Sequence, residues 1–429
     1  MVKIGELLKT LIKKGAFSIL LGTLCSKFVA FFASVFVVRL LPKEQYGLLS
    51  YFENIYGYFY IFAGLGLANA ILRYVVIKES VLEKKNVFDY VIKLGSFVNI
   101  LLLVIATIFI FFFPRPAEFS TKAILFEVVI LLLPIRYIID CCLNLERASF
   151  KNNSYAIYSF LLSFIVVFFR VLGSKFNEIE GAVIYPFIAQ VIFCIIIYFA
   201  VIKQNFSVYK GEEKRIKLNL EKKEINVYSI QYMITNGLWA VFMLNDVFII
   251  GNLLKDVNLV ADYKVAYVLP ACLSMISSSI GIFVAPYFTK YEKEGKYEWV
   301  WSNWKKTFLL SVLLIGMISL VLVLFSDFFI CLLYGETYLS ITSVMKILTI
   351  SSFINAAIRY PTANILASVG LVKVNLISAI IGVVLQIILD LLIIKQFSII
   401  GIAFVNVFVY IVMSIIVIVC FVKKFKIKI

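Results

Sequence analysis

Twelve long apolar stretches constrain this chain more than any other feature of its sequence. Each is about the length of the roughly 20 residues with which an α-helix crosses a membrane, and short polar segments separate them. The chain is 62% hydrophobic, whereas ordinary soluble domains are about 45–50% apolar. Because lipid offers the backbone no hydrogen bonds, such stretches must be helical. The sequence therefore predicts an all-α integral membrane protein with about twelve transmembrane helices.

A polar segment divides the twelve predicted spans into two sets of six. The spans run approximately over residues 15–41, 45–76, 88–113, 121–143, 155–172, 181–202, 227–254, 263–288, 308–333, 338–368, 372–394 and 399–422. The longest polar interruption, residues 203–226, has mixed charge and no catalytic-domain length. We predict an N-terminal six-helix lobe over 1–202, a cytosolic linker over 203–226 and a C-terminal six-helix lobe over 227–429.

The distribution of Lys and Arg predicts the orientation. Connectors on the side of the N-terminus carry 26 of these residues, and connectors on the opposite side carry 9. Loops rich in Lys and Arg stay in the cytoplasm. Both termini are therefore predicted to be cytoplasmic. The same rule accounts for the net charge of +16, so no nucleic-acid partner is expected.

Short sequence echoes predict an internal duplication. Ile135-Arg136-Tyr137 recurs as Ile358-Arg359-Tyr360, and Gly181-Ala182 is matched by Gly401-Ile402-Ala403. The offsets are close to half of the chain length. A repeated unit of six spans inserts both copies in the same orientation, related by an axis along the membrane normal. We therefore expect two six-helix lobes related by a pseudo-two-fold axis.

Three basic residues lie within predicted spans, where a charge costs about 2.5–3.5 kcal/mol on insertion scales. They are Lys27, Arg136 and Arg359. Arg binds phosphate oxygens through paired hydrogen bonds and Lys acts as a point charge. We predict a cationic cavity that binds a pyrophosphate group. A structural alternative stays open for Arg136, because Asp140 is one helical turn away and an ion pair at this spacing is favourable.

Four further polar residues within the spans are candidates for a polar cavity or for ion coupling. They are Glu53, Asp140, Asp246 and Asn355. The chain has no His, and its cysteines include the adjacent pair Cys141-Cys142 but no spaced metal motif. No catalytic residue, metal site or cofactor is predicted. Protons and Na⁺ both stay open as the coupling ion.

An ordered set of motifs identifies a family resemblance. Residues 39–74 read RLLPKEQYGLLSYFENIYGYFYIFAGLGLANAILRY, Leu145-Glu146-Arg147-Ala148 follows the fourth span, and LLYGETY occupies 332–338. Together they resemble the polysaccharide-unit flippases for O-antigen and teichoic-acid export, in the multidrug/oligosaccharidyl-lipid/polysaccharide superfamily. One departure is Asn245-Asp246-Val247, where the family pattern leads us to expect an acidic-basic pair.

The resemblance implies a function and partners. It implies transfer of an undecaprenyl-pyrophosphate-linked oligosaccharide between leaflets of a bacterial cell membrane, for lipopolysaccharide or capsule synthesis. The implied partners are the lipid-linked oligosaccharide, membrane lipids and polysaccharide polymerase or assembly proteins. Two alternatives stay open: a drug/cation antiporter of the same superfamily, and a polytopic glycosyltransferase or O-antigen polymerase. We expect a transporter rather than an enzyme, because no connector is long enough for a catalytic domain.

Overall fold

The computed structural model describes residues 16–112, 116–207 and 219–426, and these residues form helices joined by short turns, without a β-strand among them. The predicted all-α fold class is confirmed. Contacts between helices divide the chain into two compact units. Unit 1 ends at Gly237 and unit 2 begins at Leu238, within one long helix.

Unit 1 contains the following helices. They are α1 (Ala16–Leu40), α2 (Lys43–Ile61), α3 (Leu67–Tyr74), α4 (Val81–Phe112), α5 (Ala117–Thr121), α6 (Ala123–Ile130), α7 (Leu132–Ala148), α8 (Asn152–Phe206) and the first part of α9 (Asn219–Ile249). The buried core of this unit joins α3, α4, α7 and α8 through residues such as Ile71, Phe88, Tyr137 and Ile197.

Unit 2 contains the rest of α9 and seven further helices. They are α10 (Val257–Ala271), α11 (Leu273–Lys293), α12 (Tyr297–Leu324), α13 (Ser326–Tyr334), α14 (Thr342–Phe353), α15 (Tyr360–Ser368) and α16 (Val372–Lys426). π-helical turns follow α9 at Ile250–Leu254 and α14 at Ile354–Arg359. One core cluster of this unit packs Phe288, Trp304, Leu366 and Phe421 together.

The second predicted span is broken, which corrects the expectation of one continuous helix over 45–76. Gly64, Leu65 and Gly66 have φ values of 54°, 49° and 77°, and α2 meets the segment after it at 47°. Left-handed backbone suits Gly, which has no Cβ. The Tyr137 ring occupies the space beside Gly64.

The two longest helices each fold back on themselves. Both contain 55 residues, about 80 Å of ideal helix against a hydrocarbon layer of about 30 Å. Glu178 breaks α8 with φ 47° and ψ −132°, and Ser398 breaks α16 with φ 50° and ψ −142°. The backbones of Gly173 and Gly181 touch across the first break. Each long helix thus supplies two adjacent predicted spans, at the offset of 220 residues that a duplication predicts.

The length and apolarity of the helices fit a membrane. Within the described residues, seven helices are long and apolar enough to cross one, or eight when the bent pair of α2 and α3 counts as one span. The two 55-residue helices are among the seven. Large apolar side chains are exposed on many helices, as at Phe112 and Ile124, which are 84% and 81% accessible. Such surfaces are stable when they face lipid.

Two of the connectors predicted to be cytosolic, residues 144–154 and 203–226, meet the start of the predicted third span at one end of unit 1. Lys151 Nζ donates to the Gln204 carbonyl at 2.9 Å, and Asn205 donates to the buried carboxylate of Glu146 at 2.6 Å. Tyr90 donates to Asn226 at 2.9 Å. Residues 208–218 of the predicted linker lie outside the described residues. The predicted domain boundaries and the two-fold axis stay predictions.

Candidate functional site

A cavity of about 490 Å³ lies inside unit 1, between α1, α2, α6, α7 and α8. This volume is within the range of about 300–1,000 Å³ that is usual for ligand pockets. Much of the wall is apolar. The polar side chains that line the cavity include those of Ser34, Glu53, Tyr56, Tyr60, Arg136 and Arg170. Two of the predicted site residues, Glu53 and Arg136, therefore line one cavity.

Arg136 is held by an acidic residue and a tyrosine. Its Nε lies 3.4 Å from Oδ1 of Asp140, one turn later on α7. The Tyr60 hydroxyl donates to the other carboxylate oxygen of Asp140. The rings of Tyr56 and Tyr60 stack with centroids 5.7 Å apart. The predicted pairing of Arg136 with Asp140 is present, and the guanidinium still borders the cavity.

A second ion pair borders the same cavity and was not predicted. Arg170 Nη1 lies 2.6 Å from Glu53 Oε1, which joins α8 to α2. Arg170 Nε is buried and donates to no described residue. Arg170 lies near the end of the predicted fifth span, residues 155–172. Helical spacing contained a signal, because Ser163, Val166, Val167 and Arg170 share one face, and all four line the cavity.

The cavity combines two guanidiniums with two carboxylates. Each guanidinium has five N–H donors, more than its carboxylate partner occupies. Guanidiniums bind phosphate groups through the same paired geometry that they use with carboxylates. The arrangement is suited to binding an anionic group that shares or replaces the carboxylate partners. The stacked tyrosines add an apolar wall with hydroxyl groups.

Lys27, the other predicted cation of the first lobe, occupies a different position. It is half-buried on α1, three residues before Ala30, which lines the cavity. The side chains that line the cavity do not include Lys27. Its assignment to a common cationic site with Arg136 and Arg359 stays a prediction.

Unit 2 contains a buried hydrogen-bond network around Asp246. The carboxylate of Asp246 accepts hydrogen bonds from Tyr263 at 2.5 Å, Gln386 at 2.7 Å and Asn406 at 2.7 Å. These donors come from α10 and from both halves of α16. A small cavity of about 50 Å³ borders Asp246 and Asn406. Hydrogen bonds from neutral donors stabilise an ionised carboxylate without neutralising its charge.

A second carboxylate is close to this network. Asp390, one turn after Gln386 on α16, accepts a hydrogen bond from Asn245 at 2.8 Å. Oδ1 of Asp390 and Oε1 of Gln386 are buried and accept no hydrogen bond from a described residue. Buried oxygen atoms without donors are unfavourable, and oxygen is the ligand that hard cations prefer. The cluster thus offers oxygen ligands that a small cation or a proton would satisfy.

Arg359 lies in another part of unit 2, on a π-helical turn. It is 6% exposed. Its Nη1 donates to Asn355 Oδ1 at 3.1 Å, and its guanidinium carbon lies 4.7 Å from the centre of the Trp239 ring. Arg359 and Asn355, one helical turn apart, are therefore in direct contact. Arg359 Nε is buried and has no acceptor among the described residues.

Several solved structures share this fold. The inward closed conformation of the lipid II flippase MurJ superposes with a TM-score of 0.73 and 18% identity, over 95% of this chain and 88% of that one. An inward-facing multidrug resistance transporter of the MATE family superposes with a TM-score of 0.67 and 13% identity, over 94% of this chain and 95% of that one. A transporter from Pyrococcus furiosus gives 0.65 and 13%, over 97% and 96%. The fold is that of the multidrug/oligosaccharidyl-lipid/polysaccharide transporters.

The sequence identifies the family within that fold. The profile of the family described as "Polysaccharide biosynthesis protein" matches residues 12–292, more than half of the chain. The chain belongs to this family of membrane transporters. An uncharacterized membrane protein of Methanocaldococcus jannaschii is 23% identical over 413 residues, 90% of this chain and 79% of the relative.

Proposed function

We propose that this protein is a flippase that moves undecaprenyl-pyrophosphate-linked oligosaccharides from the cytoplasmic to the outer leaflet of a bacterial cell membrane. The glycan is then available for O-antigen, lipopolysaccharide or capsule assembly, with a polysaccharide polymerase as a partner. The single observation that carries the proposal is the cavity of unit 1, where Arg136 and Arg170 both present guanidinium groups. Membership of the polysaccharide biosynthesis family supports the same substrate class.

The cavity explains how a lipid-linked glycan is held. Arg136 and Arg170 bind the pyrophosphate oxygens, while Tyr56 and Tyr60 contact the sugar rings. Asp140 and Glu53 keep both guanidiniums in place before the substrate arrives, because each ion pair fixes a flexible side chain. We assign Lys27 and Arg359 to the same cationic pathway, as the sequence predicts. Alternating access of the cavity to the two sides completes the transfer.

The Asp246 network is the proposed coupling site. A Na⁺ ion fits its oxygen-rich composition, and Asp246 with Asp390 supplies the negative charge. Binding of a cation brings the two carboxylates together and offsets their repulsion, which changes the packing of α9 against α16. Glu53 and Asp140 are assigned to the substrate cavity, because each already has an Arg partner.

The antiporter alternative shares this fold, and the MATE structures are almost as similar as the flippase structure. The family profile and the two guanidiniums at the cavity favour an anionic substrate. The polymerase alternative predicts chain elongation. We expect the purified protein neither to hydrolyse nucleotides nor to lengthen a lipid-linked glycan. Detectable elongation by the isolated protein would place the polymerase first.

Surface-glycan complementation in a flippase-null strain tests the proposal, with membrane abundance measured beside it. We expect the native chain to restore the glycan. The combination of Arg136→Gln, Asp140→Asn, Glu53→Gln and Arg170→Gln removes all four charges while nearly conserving volume, and we expect it to insert normally and to fail. Lys27→Gln with Arg359→Gln tests the wider cationic pathway. Full complementation by both sets at normal abundance would contradict the cationic site.

A further inference from the structure

A row of arginine and tyrosine side chains lies at the end of unit 1 where two of the connectors predicted to be cytosolic, 144–154 and 203–226, meet. The guanidinium carbon of Arg73, at the end of α3, is 4.8 Å from the centre of the Tyr228 ring on α9. Tyr228 and Tyr232 are one turn apart on α9, with ring centres separated by 6.5 Å. Arg147 lies in the last turn of α7.

The side chain of Arg147 packs against a tyrosine ring. Its guanidinium carbon is 5.2 Å from the ring of Tyr155, at the start of α8. The helices that carry the row are joined directly, because Asn144 on α7 donates to the Ala68 carbonyl on α3 at 2.9 Å. Gly66 also packs against the backbone of Ser229 on α9. The row is thus part of a packed end of the unit.

Both guanidiniums retain their capacity to bind an anion. Arg73 and Arg147 are exposed, and neither forms an ion pair with a carboxylate of the described residues. A guanidinium stacked on a ring keeps its in-plane N–H donors available. The nearby Glu146 is buried and accepts from Asn205. The row therefore presents two ordered cations that have no anion.

The row is also connected to the substrate cavity. Arg136, Asp140, Asn144 and Arg147 follow one another at three- and four-residue steps along α7, which places them on one face of that helix. Arg147 is eleven residues beyond Arg136, about 16 Å along the helix. This face is polar over its whole length, from the exposed end of unit 1 to the cavity.

We propose that Arg73 and Arg147, presented by Tyr228, Tyr232 and Tyr155, form a capture site for the phosphate groups of a membrane lipid headgroup. The site receives the pyrophosphate of the lipid-linked glycan at the cytoplasmic surface, before Arg136 and Arg170 bind it. This assignment of the substrate rests on the proposed function. The phosphate chemistry is shared with anionic phospholipids, which the experiment separates.

The test measures binding of fluorescent geranylgeranyl pyrophosphate to purified protein in phosphatidylcholine nanodiscs, at low and high salt. All chains compared carry Glu53→Gln, Arg136→Gln, Asp140→Asn and Arg170→Gln, so that the cavity does not bind the probe, and the chain without further changes is the native reference. Arg73→Gln with Arg147→Gln removes both guanidiniums, and we expect binding to weaken about 10- to 100-fold. Lys203→Gln with Lys223→Gln is the matched control, because it removes two exposed cations from the same end. We expect the control to bind within about twofold of the native chain. Arg73→Lys with Arg147→Lys keeps the charge and serves if the Gln variant does not fold; we expect an intermediate affinity.

A second arm replaces part of the phosphatidylcholine by phosphatidylglycerol. If the native chain binds the pyrophosphate probe equally in both membranes, and the Arg variants bind it more weakly, the site captures the carrier pyrophosphate. If phosphatidylglycerol displaces the probe from the native chain and not from the Arg variants, the site binds phosphate headgroups in general. Equal probe binding by the native chain and both Arg variants would overturn the proposal. None of these outcomes requires transport, so the capture site can be confirmed or rejected even if the flippase assay fails.

Discussion

Unit 1 and unit 2 each contain a 55-residue helix that folds back at residues 220 positions apart, Glu178 and Ser398. Their buried charges are nevertheless balanced in different ways. In unit 1, Arg136 and Arg170 are paired with Asp140 and Glu53 beside a large cavity. In unit 2, Asp246 and Asp390 accept hydrogen bonds from amides and a tyrosine, and Lys264 borders the same small cavity as Asp246.

We propose on the basis of this difference that the two units have different tasks. A cation that already has a carboxylate can exchange it for a phosphate, which suits substrate binding. A carboxylate whose hydrogen-bond donors are neutral keeps its charge available for a mobile cation. Unit 1 is thus the substrate-binding unit in our account, and unit 2 is the coupling unit.

The largest expected effect is at Asp246. Asp246→Asn removes the charge and presents an NH₂ group to three donors, so we expect transport to fall roughly 100-fold, as for changes at metal sites. Transport by the native protein should depend on Na⁺, and that dependence should disappear in the variant. Reconstituted vesicles with and without a Na⁺ gradient provide the measurement.

Asp327→Asn is the matched control for this prediction. Asp327 is also a carboxylate of unit 2 and accepts a hydrogen bond from Thr342 at 2.5 Å, but it is exposed. We expect normal transport and normal Na⁺ dependence. If transport by the native protein does not depend on Na⁺, or if both variants lose transport equally, Asp246 is not the coupling residue.

The next effect compares Arg136 with Arg359. Arg136→Gln leaves the Asp140 carboxylate without its cation, whereas Arg359→Gln leaves the neutral side chain of Asn355. Because the Arg136 pair is partly exposed, we expect Arg136→Gln to lower the free energy of unfolding by about 1–2 kcal/mol. Addition of Asp140→Asn should recover most of this loss. Thermal unfolding of the purified variants provides the measurement.

Transport separates the two roles of Arg136. The double variant Arg136→Gln with Asp140→Asn should be stable and inactive, since the substrate contact is absent. Recovery of both stability and transport would mean that the pair is only structural. Arg359→Gln should lower the free energy of unfolding by about 0.5–2 kcal/mol, because the contact between the guanidinium and the Trp239 ring is lost.

The smallest effect concerns the two breaks in the long helices. Ser398 has a positive φ that favours Gly, so Ser398→Gly should stabilise the protein by about 1 kcal/mol. Glu178→Gly relieves the same strain but removes the hydrogen bond that Gln45 donates to Glu178 at 2.5 Å. We expect its net effect to be near zero. Thermal unfolding of both variants should show the difference; equal stabilisation would mean that the Gln45 contact contributes nothing.

Much of the fold follows from local sequence signals, and much of the site does not. The apolar stretches predicted the helices. The pair of Arg136 and Asp140 and the contact of Asn355 with Arg359 both depend on a four-residue spacing within one helix. The echo of Gly181 and Gly401 correctly indicated the offset of the two folded-back helices. The left-handed turn at Leu65 was missed, because the surrounding residues are as apolar as a continuous span.

Contacts between distant helices could not be predicted from one sequence. Arg170 contacts Glu53 across 117 residues of chain, and Asp246 contacts Gln386 across 140. Each of these residues has an ordinary position within its own span. Only the register of one helix against another shows that they meet, and that register is set by packing over the whole unit.

Substrate affinity tests the division of tasks most directly. The measurement is the binding of an undecaprenyl-pyrophosphate-linked oligosaccharide to purified Asp246→Asn and to the variant in which Glu53, Arg136, Asp140 and Arg170 are all neutral. Our account predicts that Asp246→Asn binds within about twofold of the native protein, and that the neutral-cavity variant binds at least about tenfold more weakly. Native affinity in the neutral-cavity variant, together with weak binding by Asp246→Asn, would contradict it.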